Sequence, residues 1–123
     1  PDRQAACTIG KWTSTVAEQY TPYARPQDSG SHGSCAYVAL RNGTGKTIRV
    51  EAIGEPFAFS ALPYSARELA TKNHHYELRP DGHTYLSIDC AVLGLGNSSC
   101  GPGVLKRYAI DKSTTHRLRF RIR

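Results

Sequence analysis

Methionine is absent from this chain of 123 residues, and tryptophan occurs once. A chain without methionine that opens Pro1-Asp2-Arg3 reads as a piece of a longer product, so a targeting segment belongs to the missing part if there is one. No apolar run approaches the roughly 18 residues that a bilayer-crossing helix needs, and no membrane partner is expected. Acid is also scarce: ten Asp and Glu stand against sixteen Lys and Arg, for a formal charge of +6. Such an excess can attract nucleic acid or acidic surfaces. Its placement argues against nucleic acid. Arg117, Arg119, Arg121 and Arg123 alternate with Leu118, Phe120 and Ile122, which is the period of a strand with one cationic and one apolar face. The cationic parity holds no aromatic residue on which a base would stack, because Phe120 falls on the apolar one. The arginines are expected to meet solvent, or acidic residues elsewhere in the parent protein.

Cysteine is few and widely spaced. Cys7, Cys35, Cys90 and Cys100 fit neither a zinc module nor a CxxC redox site, and the default reading is reduced thiols in a reducing, cytoplasmic compartment. The histidines show no ligand spacing either. His74 and His75 are adjacent, so on a strand they point to opposite faces, and a structural role is expected. Apolar content of 39% is low for a compact globule without being low enough for disorder. The length allows one domain, or part of one, over residues 1–123.

Several short apolar runs joined by turns are present. Residues 1–34 read as loop-rich, with Trp12 and Tyr20 as anchors to a core and Ser29 to Ser34 as a flexible turn. Cys35 to Arg41 and Lys46 to Ala52 read as a hairpin around Asn42-Gly43-Thr44-Gly45. Phe57 to Ala61 is a short apolar segment. Ser65-Ala66-Arg67-Glu68 reads as a capping box opening a helix of about two turns, with Ala66, Leu69 and Ala70 as its apolar stripe. His75 to Leu78, Thr84 to Leu93, Leu105 to Ile110 and His116 to Ile122 read as further strands, with Pro80-Asp81-Gly82 as a turn. The expected class is mainly β, an antiparallel β-sandwich with one short helix.

The strand ending Leu86-Ser87-Ile88-Asp89 leads to Gly94-Leu95-Gly96-Asn97-Ser98-Ser99-Cys100-Gly101-Pro102, a glycine-rich loop built to place a side chain. It is no dinucleotide loop, since the third glycine and the following helix are missing. This stretch resembles the closing signature of the C-terminal domain of LacZ-type β-galactosidases of glycoside hydrolase family 2. Asp2-Arg3, Tyr20-Thr21-Pro22-Tyr23, Pro26-Gln27-Asp28-Ser29-Gly30, Phe59-Ser60, Tyr64, Leu69, His74 and Glu77-Leu78 follow that family's order. Asp28 and Ser29 depart from the usual Glu and Asn. Asn97 to Cys100 departs from the Gly-Asp-Asp-Ser-Trp of many members.

The resemblance implies a mutarotase-like sandwich of which this chain is the C-terminal part. It implies a parent enzyme that hydrolyses terminal β-D-galactose with retention. The catalytic glutamates and a magnesium site would lie in another domain, and the parent would be a homo-oligomer. No cofactor is expected in this chain, and no catalytic residue. Apolar faces or strand edges here should then be open, awaiting the remainder. In members with Trp at the position of Cys100, that residue forms part of the aglycone platform. Cys100, with Asn97 and Ser99 beside it, is thus the candidate substrate contact, with a looser acceptor subsite because cysteine lacks the stacking area. The bland reading of Cys100 is a buried small residue or a disulfide partner of Cys90. The competing functional class is an autonomous carbohydrate-binding sandwich, which would need a complete aromatic and polar site of its own.

Overall fold

The computed structural model describes residues 9–93 and 102–123. Strands β1 (His32–Cys35), β2 (Tyr37–Arg41), β3 (Thr47–Ala52) and β4 (Phe57–Leu62) precede helix α1 (Ala66–Thr71), and β5 (Tyr85–Asp89) and β6 (Phe120–Ile122) follow it. Two three-stranded sheets form, ordered β1-β4-β5 and β2-β3-β6. The mainly-β antiparallel class expected from the sequence holds, with one short helix. Among the described residues, no helix is long and apolar enough to cross a membrane. The chain divides into two compact units.

The first unit comprises the described residues of Pro1–Gly33 with Phe59–Ile88. Its core is Leu62, Leu69 and Leu78, each 4% exposed, with Tyr20 and Tyr64 packed against them. Helix α1 begins where the sequence places it. Ser65 is extended, and its Oγ accepts the Glu68 N–H at 3.1 Å. The reciprocal half of the capping box is not made. Glu68 Oε1 instead accepts the Arg79 N–H at 3.0 Å, which ties the end of the Leu78 segment to the helix and keeps Leu78 beside Leu69. Leu69 alone of the anticipated stripe is buried; Ala66 and Ala70 face solvent.

Four further readings are corrected. His75–Glu77 is a 3-10 turn, not a strand. Glu77 Oε2 accepts the N–H groups of both Asn73 and His74 at 2.9 Å, and that pair of hydrogen bonds curls the backbone. The segment from Ser29 is no flexible turn. Ser29 and Gly30 are buried, Ser29 Oγ accepts the Thr21 N–H at 3.1 Å, and β1 starts at His32. Gly30 has φ +65, and a Cβ there would lie 2.3 Å from the Gln19 carbonyl oxygen, so the glycine permits the close passage of two backbone segments. Trp12 is 61% exposed and outside the described leucine core, whereas Tyr20 packs against that core, its ring set edge-on to Tyr64 at 5.0 Å. Finally, Tyr85–Asp89 is shorter than the strand read from Thr84 to Leu93: it starts one residue later, after a turn in which Asp81 Oδ1 accepts the His83 N–H at 3.1 Å, and it ends four residues earlier, at Asp89.

The second unit comprises the described residues of Ser34–Ala58 with Asp89–Arg123. Its hairpin forms around the expected turn, but the strand read from Cys35 to Arg41 is broken at Ala36: Cys35 ends β1 and Tyr37 begins β2, in different sheets. Asn42 Oδ1 accepts the N–H groups of Thr44 and Lys46 at 3.1 and 2.9 Å, and Gly45 takes φ +87. The register runs from Tyr37 opposite Glu51 to Arg41 opposite Thr47. Strand β6 joins β3 with Val50 opposite Ile122 and Ala52 opposite Phe120. Opposed residues share a face, so Val38, Leu40, Ile48, Val50, Phe120 and Ile122 lie together. Val38 and Val50 are buried, but Ile48 is 57% and Ile122 62% exposed. The expected open apolar face is found at this end. The 116–122 strand shortens to Phe120–Ile122, and Lys106–Tyr108 is a 3-10 turn with Leu105, Tyr108 and Ile110 exposed.

Candidate functional site

The glycine loop that carries Asn97, Ser99 and Cys100 lies outside the described residues. Its stem is described: β5 ends at the half-buried Asp89, after which Cys90, Val92 and Leu93 are exposed. The site candidates of the sequence are therefore placed only by what leads into them.

Five of the described carboxylates are engaged in local structure and held below their usual range. The Tyr85 phenol donates to Asp81 Oδ2, and that bond, more than the His83 N–H, holds the Asp81 carboxyl below its usual range. The same bond pushes the Tyr85 phenol up. The His83 ring Nδ1 stands 3.2 Å from Asp81 Oδ1. The Glu77 carboxyl is lowered by the N–H groups of His74 and Asn73, that of Glu18 by the Thr15 N–H and Ser14 hydroxyl, and that of Asp111 by Ser113. Arg49 lowers Glu51. A glycosidase acid needs the opposite, a carboxyl raised enough to carry a proton at neutral pH, facing a second carboxylate across the scissile bond. These five groups are arranged to stay ionised, and each is engaged by the chain itself.

Metal chemistry finds no foothold in the described residues either. No three His, Cys, Asp or Glu come together among them. His74 does make the packing contact its motif suggested: its ring stacks on Tyr76, with centroids 5.1 Å apart and planes 11° from parallel. His75 meets the edge of the same ring at 5.9 Å. Tyr76 remains 65% exposed.

The sequence reading missed a polar cluster on the second face of β2-β3-β6. The Arg49 guanidinium lies 3.7 Å over the Tyr37 ring, and its Nε donates to Glu51 Oε1 at 2.6 Å. Arg123 Nε stands 3.7 Å from Glu51 Oε2. The signal was available. Tyr37, Arg49, Glu51, Arg121 and Arg123 share one parity once the hairpin register is set by its turn.

Comparison with known proteins accounts for the landmark motifs. Residues 1–122 match the family described as beta galactosidase small chain. A beta-galactosidase of Actinobacillus pleuropneumoniae is 34% identical over 112 residues, covering 91% of this chain and 10% of that protein. One from Vibrio vulnificus is 35% identical over 125 residues, with 98% and 11% covered. A beta-galactosidase small subunit of Latilactobacillus sakei is 34% identical over 133 residues, with 99% and 42% covered. The chain therefore spans about a tenth of the length of the beta-galactosidases it matches, and under half of the small subunit. The matched description is a small chain, which corrects the C-terminal domain that the motifs imply. On the extent of that match, the chain belongs to the beta-galactosidase small chain family.

Proposed function

We propose that this chain is a non-catalytic part of a β-galactosidase that hydrolyses terminal non-reducing β-D-galactose with retention. A companion stretch of polypeptide, joined to it or separate, supplies the nucleophile, the acid and the magnesium. The observation that carries the reading is the small-chain match over residues 1–122. The lowered, internally engaged carboxyls of Glu18, Glu51, Glu77, Asp81 and Asp111 support it, because none is tuned as a general acid. The exposed Ile48 and Ile122 support it as surface that a larger assembly would cover. Within that assembly the loop bearing Asn97, Ser99 and Cys100 would border the aglycone side, and the parent would act as a homo-oligomer in the cytoplasm.

The test is hydrolysis of nitrophenyl β-galactoside. The purified chain alone should release no nitrophenol above the buffer rate. Adding it to the parent enzyme prepared without these residues should restore turnover. Hydrolysis by the chain alone, or failure of the mixture to gain activity, would refute the reading.

The second reading, an autonomous carbohydrate-binding module, draws on the exposed rings of Tyr76 and Trp12. A sugar site needs convergent polar groups beside such a ring. The polar groups next to Tyr76 are committed: its carbonyl accepts Arg79 Nη1, and Glu77 caps the backbone. Saturable shifts of the Tyr76 ring on titration with galactose would favour the module.

A further inference from the structure

We propose that the charged face of β2-β3-β6 is a docking surface for an acidic stretch of the companion β-galactosidase polypeptide. This rests on the companion reading above and adds to it where contact is made and with what chemistry. The register places Arg41, Arg49, Arg121 and Arg123 on one face with a single carboxylate, Glu51. Four guanidiniums against one carboxylate leave an excess of three positive charges on a three-stranded surface. Among the described residues, the ion pairs on this face both run to Glu51, from Arg49 and Arg123. Arg41 and Arg121 are exposed.

Three features select a carboxylate-bearing polypeptide as the occupant. The face already handles a carboxylate in this way, since the two oxygens of Glu51 are each approached by a different arginine at 2.6 and 3.7 Å. Arginine's planar fork suits that geometry better than a point charge would. Arg49 is also held in advance by the Tyr37 ring at 3.7 Å, so less side-chain freedom is lost when a partner arrives. Nucleic acid fits less well. Tyr37 is the one aromatic that the strands place on this face, and Arg49 covers it, which leaves no ring for base stacking. Finally, the relatives are mostly about ten times longer than the matched region, so the family supplies further polypeptide that such a face can meet.

The experiment measures the affinity of the chain for the remainder of the parent β-galactosidase, prepared without these residues, at 50 and 300 mM salt as working conditions. Arg41→Glu and Arg121→Gln are compared with Arg67→Glu on α1, an exposed site in the other compact unit. Arg41→Glu and Arg121→Gln should each weaken binding about tenfold, mainly in the on-rate, and Arg67→Glu by less than about twofold. Affinity of the unaltered chain should fall as salt rises. A deca-glutamate peptide should compete, and a ten-nucleotide oligothymidine should not. Circular dichroism confirms that each variant folds; Arg121→Gln is chosen because it sets no like charge against Glu51. Binding that is insensitive to both variants, or equally weakened by the α1 control, overturns the inference and leaves the companion reading standing. Competition by the oligonucleotide in preference to the peptide overturns it in favour of nucleic acid. Absence of any association overturns both.

Discussion

Gly30 is the position at which the structure makes its sharpest quantitative demand. Two costs arise on substitution by alanine. The first is backbone: φ is +65, a left-handed conformation that costs an L-residue roughly 1–2 kcal/mol. The second is contact. The new Cβ would lie 2.3 Å from the Gln19 carbonyl oxygen and 3.1 Å from its carbon, and neither is the movable end of a side chain. Relieving such overpacking costs about 1–3 kcal/mol. Less the roughly 0.4–1 kcal/mol of unfolded-chain entropy that any Gly→Ala change removes, Gly30→Ala should lose about 1–5 kcal/mol. Gly82→Ala supplies the control, because Gly82 has φ +84 and nothing within 4 Å of its Cβ position. It bears the backbone cost alone, offset by roughly 0.4–1 kcal/mol of reduced unfolded-chain entropy. Urea denaturation of both variants by circular dichroism measures the difference. Displacement of Gln19 should also disturb its Oε1, which lies 2.6 Å from His32 Nε2, so the His32 ring resonances should move in Gly30→Ala and stay in Gly82→Ala. Equal midpoints for the two variants would refute the steric argument, whatever their absolute values.

Other expectations follow from the same geometry. Leu69→Ala empties the centre of the first unit's core and should cost about 2–5 kcal/mol, read as a lowered urea midpoint; a change under about 1 kcal/mol would mean that the three leucines do not form a closed cluster. Stability should fall in acid. The carboxyls of Glu18, Glu51, Glu77, Asp81 and Asp111 are lowered in the folded chain, so the stability they contribute is complete above the ordinary carboxylate pKa. It is lost as pH falls through their lowered folded values. Glu77→Gln should flatten that acid limb, and an unchanged limb would show that the Asn73 and His74 bonds contribute nothing. In a Cys7→Ser, Cys100→Ser background, Cys90 is exposed and should react with a disulfide reagent at least about tenfold faster than Cys35, whose thiol burial pushes up. Equal rates would place Cys35 at the surface.

The hairpin was legible from the sequence because its turn chemistry and its alternation agree: Asn42 and Gly45 fix the register, and every residue from Tyr37 to Ala52 follows from it. The helix start was legible for the same reason, through Ser65. What failed were segments whose side chains bond to distant or local backbone in place of a ladder. Glu77 turns an alternating apolar run into a 3-10 turn, and Glu68 spends its carboxylate eleven residues away on Arg79 rather than on its own helix. No local period carries that information. Trp12 failed differently: aromatic size suggested an anchor, but burial is set by what surrounds a residue, and Tyr20 holds the place beside the three leucines. The charged cluster around Glu51 lay in plain view once parity was combined with register, a step that needs both strands at once.

Strand β6 is the outer strand of its sheet, and that position is an invitation to aggregate. Its ladder bonds run through Arg119 and Arg123, so the N–H and C=O groups of Phe120 and Ile122 point away from β3. Two copies meeting edge to edge, antiparallel and centred on Arg121, would set arginine against arginine across the new seam. Repulsion at each such rung penalises the symmetric pairing. The same alternation that gives the sheet a cationic side thus works as a gatekeeper: it discriminates against a second copy of this chain while leaving the edge open to a strand of different sequence.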